Sequence, residues 1–123
     1  MMSIYPSIET EEDIRIIKEY TLLPILLDML ARDIDNLTVY KDQVIYNYVI
    51  YHLRDVEQSI YPVLHNLKHR MKQRQITILN TDMNRLGIEV EYKVRGYIHH
   101  FNMLRSLVRA ELITMLKNLH GGG

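Results

Sequence analysis

Residues 94–103, VRGYIHHFNM, place an arginine, a glycine, a tyrosine and two adjacent histidines in one short stretch. Those residue types could hold a metal ion or pass a proton. Their spacing argues against both. Neighbours on a helix stand about 100° apart, so His99 and His100 cannot face one ion. Helix-core metal sites set their ligands one turn apart, as Glu-x-x-His or His-x-x-x-His. As the opening of a helix, the stretch turns His99 to solvent and leaves His100 at the edge of a Tyr97–Phe101–Leu104 stripe. His65 and His69 do have a one-turn spacing, but Lys68 and Lys72 beside them disfavour a divalent cation. His52 falls on an apolar stripe and could ligate a metal together with Asp33, His100 or Glu111. A core histidine satisfied by one hydrogen bond is the preferred reading.

No other catalytic pattern is present. The chain has no cysteine, hence no thiolate nucleophile or disulfide framework, which fits a reducing cytoplasm. It has no Gly-rich phosphate loop, Gly-x-Ser-x-Gly or His-Glu-x-x-His. Asp33 and Asp35 lie about 200° apart on a helix and do not converge. These readings point to no catalytic residue, no cofactor and no enzyme. Lys plus Arg and Asp plus Glu balance at 15 each, whereas phosphate binding usually demands a basic excess. The run KHRMKQR still offers Lys68, Arg70, Lys72 and Arg74 as phosphate contacts beside a hairpin wing. Cations gathered at a helix C-terminus by its dipole explain that run equally well, and the charge balance argues against nucleic acid.

Four segments must position these residues. Residues 9–37 read as a helix, opened by a Thr10–Asp13 capping arrangement and acidic first-turn residues. Leu23, Leu27, Leu30, Ile34 and Leu37 line one face of it. Residues 41–72 form a second helix with Ile45, Val49, His52, Val56, Ile60, Val63, Leu67 and Met71 on its stripe. Pro24 and Pro62 predict a kink in each, or at Thr21 a freshly capped start. Over 75–95, Ile88, Val90, Tyr92 and Val94 alternate with charged residues, which favours a β-hairpin over a helix. Residues 97–119 carry a helical stripe from Tyr97 to Leu119, ended by a flexible GlyGlyGly tail at 121–123.

The expected architecture is mainly α: one domain over 1–120, an antiparallel bundle of three long helices, with a β-hairpin before the last. No apolar run reaches the roughly 18 residues of a membrane span. The N-terminal MMSIYPSIETEED lacks the basic and apolar regions of a signal peptide, so no membrane attachment is expected. Nine tyrosines against one phenylalanine and no tryptophan suit half-buried and interfacial positions. Tyr46, Ile50 and Tyr61 make a second apolar row on the second helix. Arg95, Tyr97, His100, Arg105 and Arg109 border the last stripe. A helix apolar on two sides is either central or covered by another subunit. These residues are interface candidates, though the arginines fit equally well as snorkelling surface residues or as intramolecular ion pairs with Glu89 or Asp33. The leading expectation is a self-associating interaction or scaffold module, a homodimer with a further protein partner unknown. A DNA-associated regulator and a metal-binding bundle centred on His52 are the alternatives.

Two stretches carry a family likeness: LPILLDMLARDI and YKVRGYIHHFNMLRSLVRAEL. Together they resemble the YhjD-like proteins, small uncharacterised proteins of spore-forming Gram-positive bacteria. The resemblance spans most of the chain and implies a cytoplasmic bacterial protein with no assigned catalytic residues. It also implies that the RGY segment is a turn between hairpin and helix.

Overall fold

The computed structural model describes residues 9–120. In chain order these form helix α1 (Glu11–Leu37), a 3-10 turn (Thr38–Tyr40), helix α2 (Val44–Gln73), strands β1 (Ile76–Met83), β2 (Gly87–Val94) and β3 (Tyr97–Leu104), and helix α3 (Arg105–His120). The glycine tail lies outside the described residues.

Helix α1 starts where its capping chemistry places it. Thr10 Oγ1 accepts from the Asp13 N–H at 3.1 Å, and Asp13 Oδ2 accepts from the Thr10 N–H at 2.9 Å, which satisfies two orphan donors of the first turn. Both long helices run unbroken through their prolines, so Thr21 starts no new helix. Each proline withholds one helical N–H. Ser59 Oγ, near Pro62, donates to the Val56 carbonyl at 2.6 Å, whereas the Thr21 hydroxyl, near Pro24, is buried without a partner.

The bundle of three long helices with a hairpin is not what forms. Residues 97–104 are a third strand, and only α1 and α2 are long; α3 begins at Arg105. The sheet is an antiparallel meander in the order β1-β2-β3. Tyr97, His99, Phe101 and Met103 of β3 stand opposite Val94, Tyr92, Val90 and Ile88 of β2. The physical reason is hydrogen bonding. Ile88, Val90, Tyr92 and Val94 are all buried, so the second edge of β2 has to find backbone partners. Arg95 (φ +47°) and Gly96 (φ +95°) form a two-residue connection with both φ positive, the combination that matches strand twist in a tight hairpin. The RGY segment therefore turns strand into strand, not hairpin into helix.

Helix α1 is the spine. Its first two-thirds are buried over a wide arc, with Ile16 and Leu23 at the centre, Ile17 on one flank and Leu22 and Leu26 on the other. Helix α2 returns antiparallel along it, contributing Val56, Ile60, Leu67 and Met71 to the same core as the inner face of the sheet and Leu112 of α3. Beyond Leu26 only Leu30 and Ile34 of α1 are buried, and before Val56 only Ile50 of α2. The distal third of the helix pair thus projects with little cover.

Candidate functional site

At the opposite end, three elements meet around one carboxylate. Asp13 is fully buried. Arg74 Nε, at the end of α2, donates to its Oδ1 at 2.8 Å, and Arg95 Nη2, from the β2–β3 turn, donates to Oδ2 at 2.6 Å. Burial pushes the Asp13 carboxyl up. Hydrogen bonds from Arg95, the Thr10 N–H and Arg74 more than reverse this and hold it at about 2. Arg95 Nη1 also donates to the Arg74 carbonyl, and Arg74 Nη2 to Thr10 Oγ1. Arg70 reaches Glu12, which Arg15 also grips; Arg15 first, then Arg70, hold the Glu12 carboxyl below its usual range.

This cluster clamps α1, α2 and the β2–β3 turn together. Asp13 accepts from three donors that hold it ionised at neutral pH. Beside it, Tyr92 donates its hydroxyl to Glu9. Burial and Glu9 raise the Tyr92 hydroxyl well above its usual range, which keeps it a donor at neutral pH. His99 stacks on Tyr92 with ring centroids 5.6 Å apart, and its Nδ1 lies 3.8 Å from Glu9. The solvent-facing His99 expected of a helix start is therefore corrected: on β3 it points inward, half-buried. His100 alternates outward and meets Glu91 at 3.0 Å.

The expected site residues separate into four places. Arg95 belongs to the clamp. Tyr97 and His100 are exposed on β3. Ile50 is buried within the chain, because α1 lies on that side of α2, so it is not open to a partner. Tyr46 packs against Tyr40 of the 3-10 turn in a tilted ring pair with centroids 5.0 Å apart. Tyr61 is exposed on the middle of α2. Arg105 and Arg109 lie on α3, at the rim of a separate groove.

Of the cations considered for nucleic acid, Arg70 and Arg74 are committed to Glu12 and Asp13. Lys68 and Lys72 border an open hollow of about 500 Å³ with His65, His69 and Tyr20. The ligands considered around His52 are dispersed. His52 stacks on Tyr48, His100 binds Glu91 on the sheet, and Glu111 pairs with Lys18. Among the described residues no three His, Asp or Glu side chains are placed to hold a metal ion.

Two surfaces remain whose side chains look outward. One is the distal tip of the helix pair. Val44, Tyr48 and Tyr51 recur at one-turn steps on α2 and are 82%, 70% and 69% exposed. Ile45, Val39 and Tyr40 extend this patch and are exposed as well. Residue spacing alone points to Tyr46 and Tyr61; the row at Val44, Tyr48 and Tyr51 is the more exposed and follows only from knowing where α1 lies. The other surface is a groove of about 1190 Å³ between α1, α3 and the β1–β2 turn, lined by Leu26, Met29, Ile88, Leu112 and Ile113 with Arg85, Arg105 and Arg109. No helix among the described residues is long and apolar enough to cross a membrane.

No curated protein and no solved structure matches the chain. A family model described as "YhjD protein" matches residues 8–123, which takes in the clamp, the tip and the groove alike. The chain belongs to the YhjD protein family.

Proposed function

We propose that this protein is a non-enzymatic interaction module that self-associates as a dimer through the distal tip of the α1–α2 pair. The family resemblance supports placing it in the cytoplasm of a spore-forming Gram-positive bacterium; recovery in the membrane pellet on cell fractionation would contradict that location. The observation that carries the reading is the exposed Val44–Tyr48–Tyr51 row on a helix pair that has only half a bundle's cover. Two such pairs make a four-helix bundle, whose core is the set of faces each pair leaves bare. Tyrosines suit this role because they bury a large ring and keep a polar tip. Tyr48 and Tyr51 from two copies would remove on the order of 600 Å², about half of what a stable interface needs, and Val44, Ile45 and Val39 add to it.

The charges flanking the row fit a two-fold arrangement. An antiparallel contact centred on Tyr48 would bring the turn before α2, which carries Lys41 and Asp42, towards Asp55 and Arg54 of the second copy. Opposite signs meet at both ends. Rim pairs of this kind select register more than they add affinity.

Sedimentation equilibrium tests the proposal. The native chain is expected to dimerise in the micromolar range. Tyr48→Glu, which buries a carboxylate twice at the axis, should weaken the dimer by about a hundred-fold or more while leaving the circular dichroism spectrum unchanged. Asp55→Lys should weaken it about five-fold, and Lys41→Asp in the same chain should restore it. A native chain that stays monomeric at high micromolar concentration would end this reading.

A further inference from the structure

The groove between α1 and α3 is a different surface from the tip and has a more specific chemistry. Its floor is made by the buried Leu26, Ile88 and Leu112, and the exposed Met29, Met83 and Ile113 stand along it. Its rim carries Arg85, Arg105 and Arg109, and no residue lining it is acidic. None of these three arginines has a salt bridge among the described residues. Elsewhere Arg15, Arg70, Arg74 and Arg95 all reach carboxylates, while Arg32 and Arg54 stand apart from one another on the two long helices. Only the groove gathers three such guanidinium groups around one apolar surface. In a chain of balanced charge, an apolar trough with three unneutralised guanidinium groups is a local field of one sign.

We propose that this groove binds an acidic amphipathic helix of a partner protein. Three features choose that occupant. Arg105 and Arg109 are one turn apart on α3 and so present parallel forks. Carboxylates one turn apart on a facing helix would meet both, and each pair can form two parallel hydrogen bonds. The walls α1 and α3 are themselves helices with apolar residues toward the trough, so an inserted helix packs by placing apolar anchors at i, i+3, i+4 and i+7. Met29 and Met83 supply unbranched, polarisable side chains that adapt to such anchors. The trough is open to solvent and not an enclosed cavity, which suits a helix laid on it; a single acyl chain would instead need enclosure. Arginine with exposed apolar neighbours is also the composition of interface hot spots.

The experiment selects peptides from a random phage-displayed library against the immobilised full chain, then measures the synthesised winner by fluorescence anisotropy. Winners are expected to set Asp or Glu three or four residues apart beside an apolar stripe. Affinity should fall about ten-fold or more for the Arg105→Glu/Arg109→Glu variant, whose melting temperature should match the native chain's. The same peptide with Lys at its acidic positions should prefer that variant over the native chain. Methyl spectra of methionine-labelled protein should show Met29 and Met83 shifting on binding while the buried Met71 stays in place. Tyr48→Glu should leave peptide binding intact, which separates this site from the tip. Winners lacking the acidic pattern, or binding that ignores the charge reversal, would overturn the assignment. So would arginine-dependent sedimentation with phosphatidylglycerol vesicles that no selected peptide competes, since the groove would then serve a membrane surface.

Discussion

Replacing Gly87 with alanine is expected to cost on the order of 4 kcal/mol, read by urea denaturation followed by circular dichroism. Two independent penalties meet there. The φ of +151° lies in a region that only glycine enters readily. A Cβ built on Gly87 would also drive into the Met103 carbonyl oxygen and stand 3.0 Å from Leu104 Cα. Both are backbone atoms of β3, which no side-chain rotation can move aside. The strand would have to leave the position that pairs Gly87 with Leu104, and the Arg105 N–H bond to the Leu86 carbonyl, 2.9 Å where α3 begins, would go with it. Gly96 is the internal control. Its φ is +95°, but an added Cβ meets nothing within 4 Å. Gly96→Ala should therefore cost only about 1 kcal/mol. Equal losses at the two glycines would show that close approach of β3 is not what requires Gly87.

The second large effect is expected at Asp13. Asp13→Ala should destabilise the fold by about 3 kcal/mol, because it strips Arg74 and Arg95 of their shared partner and removes half of the α1 capping box. The low end of the range for buried pairs is appropriate. The two arginines are 34% and 22% exposed in their side chains, so water recovers part of their solvation. If lost partnership is the cause, adding Arg74→Met and Arg95→Met to the variant should regain much of the stability. No recovery would mean that Asp13 acts chiefly as a helix cap. The pH dependence follows from the same carboxylate. Its folded value of about 2 lies below the ordinary 3.8. Its contribution is therefore fully present above pH 3.8 and is lost as pH falls from there towards 2. It amounts to at most roughly 2 kcal/mol. An acid titration of stability should show this loss for the native chain and not for Asp13→Ala.

Local chemistry was readable in the residue order; long-range chemistry was not. The alternation Ile88–Val90–Tyr92–Val94 reports on one element and its buried face follows it. Of the expected α1 stripe, by contrast, Leu23, Leu30 and Ile34 are buried, Leu27 and Leu37 only partly, and Ile45 of the expected α2 stripe is exposed. Residues 97–104 failed this logic because Tyr97, Phe101 and Leu104 satisfy a helical spacing while Tyr97, His99, Phe101 and Met103 satisfy a strand. The vacant edge of β2 decided between them. An Arg-Gly pair is also a weaker turn signal than Asn-Gly. The Thr10–Asp13 cap was legible, yet Arg74 and Arg95 lie 61 and 82 residues from Asp13, so they read instead as a phosphate contact and an interface anchor. Ile50 read as part of an outward row because nothing in its neighbourhood says on which side α1 will pack. The groove is wholly non-local: α1, the β1–β2 turn and α3 each supply a wall, and none carries the pattern alone.

The clamp gathers the start of α1, the end of α2 and the corner after β2 at one pole. The tip lies about 40 Å away along α1. Amide protons there, held by helices that bury only Leu30, Ile34 and Ile50, should exchange with deuterium far faster than those of β2. Opening would then begin at the far pole, and a second copy docked there, as proposed, would slow that exchange.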